Sequence, residues 1–190
     1  TQFRMEAEGS VDCARKITEL GRSCDILASA DYQVIEKLLI PEHAYMNQPF
    51  AVNSMVIAFT DRSRRADEIH SGNWSEILLS KDVFFGRSDP HADPCGYRTV
   101  LVLQLAEDYY RDKTVTRPFK VKDFTEKDRR FIRPKEVDLL ALLGSQSIDY
   151  IFIYKSVALQ HNLRYLELPE EINLGDNTMA DLYAKAQLKI

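Results

Sequence analysis

An α/β fold with mainly parallel sheets is what this sequence predicts, and three observations lead there. Short apolar, β-branched or aromatic runs, such as residues 50–59 and 149–154, alternate along the chain with helical segments. The run Cys24-Asp25-Ile26-Leu27-Ala28 is apolar enough for a strand covered on both faces, as parallel strands are. Helix starts also follow strand ends: Ser10, Cys95 and Glu136 all fall at such junctions. In open α/β sheets that is where ligands sit, outside the carboxyl ends of the strands.

Each element has its local reason. Alternation over residues 2–7 suggests a short strand, broken by Gly9-Ser10, with Ser10 capping a helix that ends at Gly21. After the 24–28 strand, residues 32–39 read as a helix closed by Pro41. Residues 50–59 form a strong strand, a polar stretch covers 60–65, and helical segments follow at 66–69 and 74–79. A strand at 83–86 leads to Asp93-Pro94, an N-cap and a first-position proline that open a helix running to Tyr110. The charged segment 111–130 carries Phe119, Val121 and Phe124 without a clear period. Then come a Leu-rich helix at 134–143 opened by Pro134, a strand at 149–154, a helix from Ser156 and a strand at 164–168. A loop at 173–177 and a helix at 179–186 complete the reading, with no internal repeat.

Composition limits the function classes. In 190 residues, 45% are hydrophobic and 28% charged, with a net charge of −4. That is ordinary for a soluble globular chain and lacks the concentrated basic face of a nucleic-acid binder. No apolar run approaches the roughly 20 residues that span a bilayer. No signal peptide is visible at Thr1-Gln2-Phe3-Arg4. Three cysteines, Cys13, Cys24 and Cys95, match no zinc spacing. A Cys13–Cys24 bridge requires Cα atoms within about 7 Å, and Cys13 reads better as a small buried helix residue.

The two Pro-marked helix starts carry the chemistry. Asp93-Pro94-Cys95-Gly96-Tyr97-Arg98 and Arg133-Pro134-Lys135-Glu136-Val137-Asp138 each place a carboxylate beside free helix-end N–H groups, which attract anions. Taken alone, Asp93 and Glu136 are an N-cap and a first-turn acid, Ser10 is a plain cap, and Tyr154 is a core tyrosine. Cys95 at a helix start also suggests a reactive thiol, with His91 as the nearest base in sequence and Asp93 opposing thiolate formation. Arg98 and Arg133 read as local positive charge or as salt-bridging residues.

The same strings resemble the tungstate/molybdate-binding proteins of ABC importers, in their archaeal-type branch. So do Ile153-Tyr154-Lys155-Ser156-Val157-Ala158-Leu159-Gln160-His161, Glu8-Gly9-Ser10, Ser29-Ala30-Asp31-Tyr32, Ala66-Asp67-Glu68-Ile69 and Leu166-Glu167-Leu168-Pro169. The resemblance implies a two-lobe periplasmic-binding-protein (type II) fold, with lobe one at 1–57, lobe two at 58–168 and a return to lobe one at 169–190. It implies a non-enzymatic binder that holds the oxyanion between its lobes and delivers it to an ABC permease. The ligand contacts it implies are Ser10, Asp93, the Cys95 N–H, Glu136 and Tyr154, with Asp93 and Glu136 coordinating the metal centre. No cofactor beyond the tungstate or molybdate ligand is implied. The location implied is periplasmic or extracytoplasmic, with lipid anchoring of the full-length protein left open.

Against the family pattern the chain reads as truncated at both ends, with Ala92 where many members carry a second acid and a short 111–130 segment. The expectation is a nearly complete lobe-two half-site and an impaired lobe-one half. Two alternatives stay open: a binder of another tetrahedral oxyanion such as sulfate, and an enzyme or sensor that uses Cys95.

Overall fold

The structure is a computed structural model that describes residues 3–111, 113 and 118–187. The chain divides into two compact units, Thr1–Ala51 and Val52–Ile190. The first holds α1 (Ser10–Thr18) and α2 (Tyr32–Leu38), packed through Ala14, Val34 and Leu39. Asp31 caps α2, its side chain accepting from the Gln33 N–H at 2.9 Å.

Two strands expected in this unit are absent among its described residues. Residues 3–7 form no regular element, and Phe3 and Met5 are 82% and 88% exposed. Gln2, where that strand was expected to begin, lies outside the described residues. Residues 24–28 bend at Asp25, leaving Ile26 86% exposed while Leu27 packs on the small core. Alternation and apolarity make a strand only where a neighbouring strand takes up the backbone groups.

The second unit is an α/β sheet covered on both faces. In chain order it comprises β1 (Met55–Phe59), α3 (Trp74–Leu78), β2 (Phe85–Ser88), α4 (Pro94–Tyr109), α5 (Val121–Glu126), β3 (Ile132–Arg133), α6 (Val137–Gly144), β4 (Tyr150–Tyr154), α7 (Lys155–Gln160), β5 (Arg164–Glu167) and α8 (Ala180–Tyr183). The strand order is β3-β2-β4-β1-β5. β2 runs parallel to β3 and β4, whereas β1 is antiparallel to β4 and β5, so β1 alone opposes the other four. The mainly parallel α/β fold expected from the sequence is therefore present.

Period-two alternation sorts the core. Met55, Ile57, Phe59, Phe85, Tyr150, Phe152 and Tyr154 face a cluster around Trp74, Leu103 and Phe124. Val56, Ala58, Ile151 and Ile153 face Leu139, Leu143 and Ala158 from α6 and α7. Residues 169–187 belong to this second unit, with Ile172 and Ala186 in its core. The unit begins at Val52, so β1 lies wholly inside it. By comparison, the resemblance had set lobe boundaries at 57 and 168.

Local differences from the expected elements have local causes. Residues 66–68 form a turn rather than a helix: the Arg65 carbonyl accepts the Glu68 and Ile69 N–H groups at 3.0 and 3.2 Å, and the pattern is not continued. Pro134 does not open α6: it sits in a bend, and the helix starts at Val137 with Glu136 as the N-cap residue. The segment without a clear period supplies α5, whose Phe124 is fully buried against Trp74, Phe85 and Phe119. The final helix is one short turn, Ala180–Tyr183, preceded by a 3-10 turn.

Gly96 sets how closely α4 approaches β2. A Cβ there would lie 2.5 Å from the Asp89 carbonyl carbon and 2.6 Å from the Ser88 oxygen. Backbone on both sides leaves no soft partner to yield. Gly96→Ala is expected to destabilise the chain by about 1–3 kcal/mol through overpacking, visible as a lowered Tm in thermal denaturation.

Candidate functional site

The parallel direction of β2, β3 and β4 brings three carboxyl ends to one edge of the sheet: Ser88, Arg133 and Tyr154. The first turns of α4 and α6 begin beside that edge. Asp93 has the extended backbone of an N-cap, yet its side chain makes no bond to its own helix. Asp93 Oδ2 instead accepts the Glu136 backbone N–H at 3.1 Å, so one carboxylate ties α4 to the start of α6. The main-chain oxygen of Asp93 caps its own helix, accepting from the Gly96 and Tyr97 N–H groups at 3.0 and 3.2 Å.

Two donors at this edge are unspent. Pro94 has no N–H, and among the described residues the N–H of the fully buried Cys95 meets no acceptor. The Tyr154 hydroxyl, on a residue only 6% exposed, accepts from Arg98 Nη1 at 2.7 Å and itself donates to nothing among the described residues. Buried donors are almost always paired in folded proteins, so two open ones beside two carboxylates make this edge the candidate ligand position.

The charges agree with that crowding. Burial, and then the nearby Asp93 charge, pushes the Glu136 carboxyl up to about 7. Burial pushes the Cys95 thiol well above its ordinary value, and the Asp93 and Glu136 charges push the same way. The thiol donates weakly to the Phe152 carbonyl at 3.7 Å. Burial likewise raises the Tyr154 phenol, with the Arg98 charge pulling it back down.

Asp93, Cys95, Glu136 and Tyr154, all expected from the sequence, thus gather at one edge of the second unit. Ser10 lies in the first unit and is described there. Gly9 rather than Ser10 occupies the N-cap, and the Ser10 hydroxyl accepts the Ala30 N–H at 3.0 Å. The serine is the first helical residue, so the helix cap falls at Gly9, one position earlier than the capping pattern suggested.

Three features were not legible beforehand. The Arg98–Tyr154 bond joins residues 56 apart in sequence. Arg87, one residue before the strand end, is 5% exposed; its guanidinium donates to the Thr125 carbonyl at 2.8 Å, and burial lowers its pKa. The Ser88 hydroxyl is fully buried without an ordinary hydrogen bond among the described residues, although it neighbours the Cys95 thiol. A strand expected at 83–86 rather than Phe85–Ser88 hid both Arg87 and Ser88 from the site.

All three cysteines are free, so Cys13 and Cys24 are unpaired thiols. Among the described residues no cluster of three or more His, Cys, Asp or Glu side chains is arranged to hold a metal ion. None of the described helices is long and apolar enough to cross a membrane.

Fold and geometry together define an α/β protein with a candidate ligand site at the carboxyl edge of its sheet. The chain belongs to the bacterial extracellular solute-binding protein family, which it matches over residues 1–186. That is a family of binders rather than catalysts, and its description places its members outside the cytoplasm. An uncharacterised solute-binding protein of Petrotoga mobilis is 52% identical over 190 residues, covering 100% of this chain and 58% of the relative. The molybdate/tungstate-binding protein WtpA of Pyrococcus abyssi is 47% identical over 205 residues, covering 99% of this chain and 60% of that protein. Its namesake in Thermococcus kodakarensis is 46% identical, covering 100% and 58%. The chain therefore spans somewhat over half the length of these relatives. A solved substrate-binding domain from Clostridium difficile shares the fold, with a TM-score of 0.52 at 17% identity over 93% of this chain and 74% of that one.

Two outcomes are expected from the electrostatics. The folded state holds the Glu136 proton more tightly than the unfolded chain, so this group costs stability as pH rises from 4.5 to about 7. Glu136→Gln should raise stability at pH 8 by about 1–2 kcal/mol after solvent screening, and the gain should vanish below pH 4.5, as followed by denaturant titration across pH. Brief alkylation of the native protein at pH 8 should label exposed Cys24 and leave Cys95 unmodified until the chain is denatured, as read by mass spectrometry.

Proposed function

We propose that this chain binds molybdate or tungstate and, in its full-length form, delivers the oxyanion to an ABC permease from an extracytoplasmic position. The observation that carries the reading is the pairing of two unspent donors, the Cys95 N–H and the Tyr154 O–H, with two carboxylates, Asp93 and Glu136. The donors suit the oxygens of a tetrahedral anion. The carboxylates would repel such an anion unless its central atom accepts them as ligands. Mo(VI) and W(VI) are large enough to expand from four oxygens to six, and sulfur in sulfate is not. The names of the Pyrococcus and Thermococcus relatives support the same choice. Ser10 is proposed as a further contact on the family resemblance alone.

In this reading the protein's own residues bind and orient. Asp93 holds the start of α6 in place, Gly96 lets the Cys95 N–H reach the edge, and Tyr154 offers its hydroxyl from the end of β4. No catalytic step is assigned. The Cys95 thiol is buried and held protonated, which counts against the nucleophile reading.

Calorimetric titration with tungstate, using sulfate and phosphate as controls, tests the proposal. Heat with tungstate alone is expected, and Asp93→Asn combined with Glu136→Gln should weaken it about 30-fold or more. Equal heat with sulfate, insensitive to those substitutions, would favour a general oxyanion binder. Silence with every anion from a folded sample would sink the reading for this chain.

A further inference from the structure

We propose that Arg98 is a positioning residue for ligand recognition, whose guanidinium fills the acceptor side of the Tyr154 hydroxyl and so commits that hydroxyl to donating its hydrogen to the bound anion. The inference rests on the oxyanion reading above and adds to it a residue that contacts the ligand only through another.

The geometry is specific. Arg98 lies one turn into α4, and Tyr154 ends β4. Arg98 Nη1 stands 2.7 Å from the phenol oxygen, and the guanidinium carbon lies 5.5 Å from the centre of the same ring. A second ring, Tyr97, sits 5.8 Å from that carbon and flanks the guanidinium as well. A guanidinium is a donor and never an acceptor, so the phenol oxygen must accept in this pair. The single phenolic hydrogen is then free to point elsewhere, and among the described residues it has no acceptor.

A phenol without this constraint could present a lone pair to an oxyanion, which repels, as readily as its hydrogen. Arg98 removes that choice. Its charge also polarises the O–H bond, and hydrogen bonds that lean on an ionised partner are the stronger ones. Sequence spacing hid this role, because Arg98 belongs to the α4 motif and Tyr154 to a strand 56 residues on.

A double-mutant cycle in the purified chain reads the coupling. Tungstate affinity is measured calorimetrically for wild type, Arg98→Ala, Tyr154→Phe and the double variant, with Arg98→Lys as the conservative change. Arg98→Ala and Tyr154→Phe are each expected to weaken binding roughly tenfold, the double variant is expected to be no weaker than the worse single, and Arg98→Lys should recover part of the loss. Should Arg98→Ala not fold, Arg98→Lys and Arg98→Gln carry the same cycle. A loss from Arg98 substitution that persists at full size in the Tyr154→Phe background would mean a general structural or charge role and would overturn the inference. Wild-type binding that is indifferent to Arg98 overturns it too, leaving the oxyanion reading intact. A wild-type chain that is silent with tungstate fails the oxyanion reading itself, and this inference with it.

Discussion

The hydrogen bond from the Glu136 N–H to Asp93 Oδ2 is the contact on which the rest of the site depends. It joins the first turns of two helices that pack on opposite faces of the sheet, α4 against the Trp74 and Phe124 cluster and α6 against Ile151 and Ile153. Each helix is anchored by its own core, and the bond fixes their starts to each other at the carboxyl edge. The same bond forces the two acids together. That proximity, added to burial, is why the Glu136 carboxyl titrates near neutrality instead of in the ordinary carboxylate range.

Such an arrangement costs stability in the absence of ligand. Two acids share a partly buried edge, a fully buried N–H and a phenolic hydrogen have no partner among the described residues, and Gly96 is required by backbone approach. Each of these violates a rule that well-packed domains otherwise obey, and they lie within a few residues of one another. Away from this edge the unit is conventional. Asp149, buried at the amino end of β4, is matched by the Arg64 guanidinium, the Arg64 N–H and the Phe84 N–H. Trp74 donates to the Tyr110 hydroxyl, which donates on to the Ser71 carbonyl. A buried acid satisfied at one end of the sheet and crowded acids at the other set the carboxyl edge apart from the rest of the unit.

Much of this was legible in the sequence, for reasons tied to particular residues. Strands β1 and β4 announce themselves because Met55–Phe59 and Tyr150–Tyr154 are apolar at every position, as strands covered on both faces must be. The start of α4 was readable from Asp93-Pro94, since both residues have backbone preferences fixed by local chemistry. The 24–28 segment misled because its apolar residues satisfy the same pattern with no neighbouring strand to pair with. The Pro134 signal misled because a proline ahead of a helix fits a preceding bend as well as a first turn. Four of the five ligand candidates named from motif resemblance gather at this edge, while the Arg98–Tyr154 bond, Arg87 and Ser88 depend on which strands and helices lie side by side. Pairing of that kind is a property of the sheet order, and no local pattern encodes it.

The chemistry of the edge also narrows what it suits. An anion site built for sulfate or phosphate needs only donors, and any carboxylate near it lowers affinity by repulsion. Here the carboxylates are held in place by the backbone itself: Asp93 by the Glu136 N–H, and Glu136 by its position at the start of α6. A site that repelled its ligand through fixed groups would gain nothing from keeping them. The same groups become useful when the ligand has a central atom that accepts oxygen donors. Discrimination would then arise from a repulsive element that only one class of oxyanion can convert into a bond, which separates ligands of similar size more sharply than pocket volume alone.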